Sequence, residues 1–116
     1  MQYAILIYGD ETIWHGLGDA ERQAVYAAHM AYGKRMTEAG VIRGGAELQP
    51  VTTATTIRLS GDKPVTREGP FAETREQLGG FYLIECATRA EAERWAAENP
   101  SLPHGCVELR PLNEPG

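Results

Sequence analysis

The spacing of apolar positions switches between a period of two and a period near 3.6 along the chain, and the switches mark its elements. Gln2 to Tyr8 is an unbroken apolar and aromatic run closed by Gly9-Asp10, which predicts a strand buried on both faces. Glu11 to Gly18 reads as a glycine-containing loop carrying Trp14 and His15. Asp19 is a suitable N-cap, and Glu21 puts an acid in the first helical turn, where the helix dipole favours it. Val25, His29, Tyr32, Met36 and Ala39 then recur at helical spacing and predict one apolar stripe, stopped by Gly40. Val41 to Leu48 reads as a strand bent at Gly44-Gly45 and ended before Pro50.

Thr55 to Ser60 alternates, Gly61-Asp62 turns the chain, and Lys63 to Thr66 returns with Pro64 at a sheet edge, which predicts a β-hairpin. Gly69-Pro70 breaks the chain, and Phe71 to Leu78 reads as a loop or single helical turn. Gly79-Gly80 precedes a strand over Phe81 to Cys86. Thr88 and Glu91 form a capping box, and the helix they open carries Ala92, Trp95 and Ala96 on its inner face and stops before Asn99-Pro100. Gly105 to Leu112 alternates as a last strand.

The order strand, helix, strand, inserted hairpin, strand, helix, strand is the split pattern of an α+β, ferredoxin-like β-α-β-β-α-β fold. Both helices on one face leave the other face of the sheet bare, yet two of its strands are apolar on both sides. Such a face needs a cover. A homodimer joined through its sheets, a dimeric α/β barrel, supplies one.

Length and charge narrow the classes. The 116 residues fit a single domain spanning 1–116. A hydrophobic fraction of 42% with 23% charged residues is globular composition. The net charge of -5 and the scattered basic residues argue against a nucleic-acid or anionic-membrane partner. The apolar N-terminal run is too short to span a bilayer and lacks the basic start of a signal peptide, so a cytoplasmic location is expected. Cys86 and Cys106 lie in strand-like segments with no C-x-x-C, which predicts two reduced core thiols. Three scattered histidines give no metal-ligand spacing, and no phosphate- or dinucleotide-binding glycine motif occurs, so neither a metal nor a cofactor is expected.

Glu68 to Phe81 reads E-G-P-F-A-E-T-R-E-Q-L-G-G-F. This resembles the D-G-P-F-A-E-T-K-E-Q-L-G-G-F signature of the DGPF branch of YCII-related proteins, departing at Glu68 and Arg75. His29-Met30-Ala31-Tyr32 with Ala39-Gly40 downstream is similar to the first helix of that family, and Val107 to Pro111 resembles its closing E-V-R-P. The resemblance implies a ferredoxin-like dimer with pockets between helix and sheet. It also implies chemistry centred on a His and an acid, among fold relatives that include small-ring isomerases and cofactor-free monooxygenases. For part of the branch it implies a sigma-factor partner.

His29 is the most informative ionisable residue. Burial on an apolar stripe disfavours the imidazolium and leaves a neutral base. The same position also suits a core histidine bonded to a backbone carbonyl or a tyrosine. Glu68 stands at the family's Asp position, where Gly69-Pro70 would aim its carboxylate at His29 or use it to cap a turn. Tyr32 and Phe71, with Tyr3 and Phe81, are the candidate aromatic walls of a ligand pocket. Arg58 and Arg110 lie opposite the core residues of their strands and could hold an anion or pair with Glu108. Glu73 and Glu76 read as solvated acids, Trp14 and His15 as a lid, and His104 receives no role. The expectation is a lyase- or isomerase-type enzyme acting on a small cyclic metabolite. The alternative is a non-catalytic dimer that binds a small-molecule ligand or a sigma factor.

Overall fold

The computed structural model describes residues 1–114. Its first strand, β1 (Gln2–Gly9), is followed by two helices, α1 (Glu11–Gly16) and α2 (Asp19–Glu38). Strands β2 (Ile42–Glu47), β3 (Thr55–Ser60), β4 (Lys63–Glu68) and β5 (Gln77–Glu85) come next. Helix α3 (Arg89–Ala97) and strand β6 (Gly105–Pro111) complete the described elements. Four strands form one antiparallel sheet in the order β2-β5-β1-β6, and β3 and β4 pair by themselves as a separate hairpin. This is the expected α+β arrangement with its hairpin insertion.

The core lies between the sheet and the helices. Tyr3 and Ile5 of β1, Ile84 of β5, Tyr32 and Met36 of α2, and Ala92 and Ala96 of α3 are buried together. Strand alternation therefore sends Ala4, Leu6, Phe81 and Leu83 to the opposite face, where register pairs Ala4 with Leu83 and Leu6 with Phe81. On β6 the same face takes Glu108 and Arg110, opposite Leu6 and Ala4.

Local chemistry sets the ends of the elements. Helix α2 starts one residue earlier than expected: Gly18 is the N-cap and Asp19 is the first helical residue. Gly40, at φ +73°, turns the chain after α2, and the Val41 N–H donates to the Met36 carbonyl. Thr88 caps α3 by accepting from the Glu91 N–H at 3.2 Å, and the Glu91 carboxylate reaches back to the Ala87 N–H. The predicted bend in β2 is a register shift between Ile42 and Gly44.

Four expectations are corrected. Residues 11–16 are a helix and not a loop, because Asp10 accepts from the Thr12 N–H at 2.9 Å and nucleates it. β5 begins at Gln77, so Gly79-Gly80 lies inside the strand and there is no helical turn before it. The sheet accepts these glycines because Gly80 sits against β2: a Cβ there would come within 3.0 Å of the Ala46 carbonyl oxygen. Ala39 is exposed, since it caps the helix end and faces away from the sheet. Cys86 is a buried free thiol, but Cys106 is exposed, because alternation in β6 turns it to the bare face.

Candidate functional site

A cavity of about 430 Å³ opens between the N-terminal half of α2, the helix α1 and the sheet ends. α2 delivers His29, β5 delivers Tyr82, and the segment after α3 delivers Ser101 and His104. Asn99 is 3% exposed, and its Oδ1 accepts from the Ser101 N–H at 2.9 Å, which fixes the turn bearing Ser101. The 3₁₀ turn Leu102–His104 then brings His104 round to the same cavity. α1 forms the lid. Trp14 packs edge-on against Tyr26 of α2, and Arg22 donates to the carbonyls of Trp14, His15 and Leu17. The Glu11 carboxylate accepts from the Val51 N–H at 3.0 Å and ties the lid to the turn after β2.

His29 is held at both ring nitrogens. Nδ1 lies 2.8 Å from the Tyr82 hydroxyl, and Nε2 lies 2.8 Å from Ser101 Oγ. The His29 and Tyr82 rings stack at 13° with centroids 5.9 Å apart. Burial lowers the proton affinity of the imidazole, and the negative charge of Glu47 works weakly the other way. Burial also raises the Tyr82 phenol above its ordinary value. At neutral pH the pair is therefore a neutral imidazole against a neutral phenol. Beneath them Tyr32 is fully buried and donates to the Trp95 carbonyl at 2.6 Å, joining α2 to α3 under the site.

The sequence-predicted residues fall in different places. His29 lines the cavity and is also bonded to a tyrosine, so both readings of this residue describe real contacts. Glu68 is exposed at the end of β4 in the hairpin and does not border the cavity, so the expected His29–Glu68 pair is not formed within this chain. The carboxylate that acts on His29 is Glu47, at the end of β2, which accepts from the Tyr26 hydroxyl at 2.9 Å. Tyr3 and Tyr32 are core residues below the cavity, and Phe71 is 77% exposed away from it. Phe81 borders the cavity, but alternation along β5 turns its side chain to the bare face, so it is not an aromatic wall. Arg58 is exposed on the hairpin, while Arg110 pairs with Glu108 at 3.7 Å on the bare sheet face. Among the described residues no Lys or Arg borders the cavity; Asp10, Glu11 and Glu47 do. This rim disfavours anionic ligands.

Sequence reasoning missed Tyr82, Ser101, His104 and Glu47. His104 is half-buried and presents a buried Nδ1 with no hydrogen-bond partner among the described residues. Its Pro103 and Gly105 neighbours suggested an exposed turn, and only the turn geometry brings it inward. Tyr82 had a signal: it shares the core face of its strand with Ile84. Among the described residues no group of three or more His, Cys, Asp or Glu side chains gathers as a metal site. No helix among them is long and apolar enough to cross a membrane.

An α+β sheet with its helices on one face, and a cavity between them holding a desolvated histidine, defines a class of small ferredoxin-like proteins. Within that class this chain belongs to the YCII-related family, whose domain matches residues 1–114. It is 41% identical over 116 residues to an uncharacterised protein of Rhizobium meliloti (strain 1021), covering 97% of this chain and 92% of that one. Its fold is similar to that of 5-chloro-2-hydroxyhydroquinone dehydrochlorinase (TftG) from Burkholderia phenoliruptrix AC1100, solved in complex with 2,5-dihydroxybenzoquinone. The TM-score is 0.55 at 15% identity, over 99% of this chain and 96% of the other.

Proposed function

We propose that this protein is an acid–base enzyme of lyase or isomerase type that acts on a small, uncharged cyclic metabolite, with His29 as the group that takes and returns the proton. One observation carries the reading. His29 borders a largely apolar cavity with both ring nitrogens bonded to hydroxyls that also border it, and burial keeps the imidazole neutral. A neutral base at physiological pH is what general base catalysis requires. The volume suits a single substituted ring. The fold neighbour is a dehydrochlorinase solved with a dihydroxybenzoquinone, which supports hydroxylated rings as the first compounds to try.

The test begins with hydroquinone as a neutral binding probe and chlorinated or hydroxylated hydroquinones as trial substrates. On any compound turned over, His29→Gln lowers kcat/KM by about 10²–10⁴-fold with the fold intact. A folded His29→Gln protein with full turnover refutes the reading.

The working form is a homodimer joined through the bare sheet face. Leu6, Phe81 and Leu83 on that face, with Ala4 beside them, form the apolar patch that supports this reading.

A further inference from the structure

We infer that Tyr82, His29 and Ser101 form a two-ended proton relay that takes a proton from one atom of a neutral ring ligand and returns one to another. The reaction is then a proton shift within the ligand, such as a keto–enol tautomerisation. This inference rests on the acid–base role of His29 proposed above.

The geometry has two states. A neutral imidazole carries one ring proton, so one nitrogen donates and the other accepts. With the proton on Nδ1, His29 donates to the Tyr82 oxygen, and the Tyr82 hydroxyl hydrogen is free to face the cavity. Ser101 then donates to Nε2, and its remaining lone pair faces the cavity. With the proton on Nε2, the polarity reverses. His29 donates to Ser101 Oγ, Tyr82 donates to Nδ1, and the free hydrogen belongs to Ser101. Both separations are 2.8 Å, so neither state needs the side chains to move apart.

The step balances. The ligand gives a proton to Ser101 Oγ, and Ser101 passes its own proton to Nε2. Nδ1 passes its proton to the Tyr82 oxygen, and Tyr82 gives its hydroxyl proton to the second ligand atom. One proton enters, one leaves, and the imidazole has changed tautomer. No group ends the step charged. That matters here, because burial disfavours both imidazolium and phenolate, and among the described residues no Lys or Arg borders the cavity to stabilise an anion. A relay of neutral steps avoids both costs.

The tautomer can be read without a substrate, by ¹⁵N NMR of the ring nitrogens in the full-length protein labelled at histidine. The relay predicts intermediate shifts at both His29 nitrogens near pH 7.5, the average of two exchanging tautomers. Tyr82→Phe and Ser101→Ala each remove one hydroxyl and displace the tautomer ratio by about tenfold. Ser101→Thr keeps a hydroxyl and preserves the averaged shifts. A single fixed tautomer in the unsubstituted protein, or a ratio unmoved by both hydroxyl deletions, overturns the relay. Either result leaves His29 as an acid–base group to be judged separately by the turnover of His29→Gln.

Discussion

The His29 imidazole couples the site to pH in two ways. Burial lowers its pKa below 6.5, so the folded protein binds that proton less readily than the unfolded chain does. The sign follows. The contribution of His29 to stability is complete above pH 6.5 and is lost as pH falls from there through the lowered folded value. Activity that needs the neutral imidazole holds its plateau below pH 6.5 and declines only at the lowered value; the acidic limb of kcat/KM against pH checks this. A limb centred at or above 6.5 would mean that the base is charged or exposed. Glu47 adds a second check. Its negative charge raises the His29 pKa against the dominant effect of burial. Glu47→Gln therefore shifts that acidic limb further down. A profile left in place would separate Glu47 from the site. At this scale the sequence made His29 legible, because an ionisable residue interrupts an apolar stripe. It did not make Glu47 legible. A glutamate at a strand end has no local mark of what it faces, and the more suggestive Glu68 belongs to a hairpin that pairs only with itself.

Between elements, close backbone approach decides which positions tolerate change. Gly105 starts β6, where an added Cβ would meet the Tyr8 carbonyl oxygen at 2.1 Å. That neighbour is backbone and cannot swing aside, so Gly105→Ala displaces β6 from β1 and the cavity edge at His104. The expected loss is about 2–3 kcal/mol in denaturant unfolding. An unchanged midpoint would show that the strand end adapts. Thr88→Ala removes a helix cap and costs about 1 kcal/mol by the same measurement, with turnover unaffected because α3 caps far from the cavity. Most elements were readable from periodicity, caps and turn residues. Two were not. α1 is six residues long and has no buried side chain, so no apolar stripe announces it. β5 begins before its apolar run because Gln77 and Leu78 already pair with Gly9 and Tyr8, and pairing of that kind is a tertiary property.

As a whole the molecule is broad and thin, 47 × 47 × 18 Å along its principal axes. Its radius of gyration is 16.2 Å, against about 13 Å for a compact chain of this length. The hairpin extends the chain, and it carries Ile57 and Leu59 at 64% and 69% exposure. A bare apolar sheet face on so thin a body favours pairing. Light scattering at micromolar concentration should give about twice the 12.7 kDa chain mass. Leu6→Glu, placed in the middle of that face opposite Phe81, should leave a folded monomer. A monomer mass for the unsubstituted protein would contradict the dimer. The two-sided apolar runs made this face legible in the sequence. The hairpin's own exposed apolar side were not read as part of it, because strand alternation alone does not say which sheet a strand joins.

The acid–base assignment meets its most direct test in an NMR pH titration of the His29 ring. A pKa below 6.5 that falls further in Glu47→Gln is the predicted result. A His29 pKa at or above 6.5, insensitive to Glu47, would contradict a desolvated neutral base in the cavity and with it the proposed chemistry.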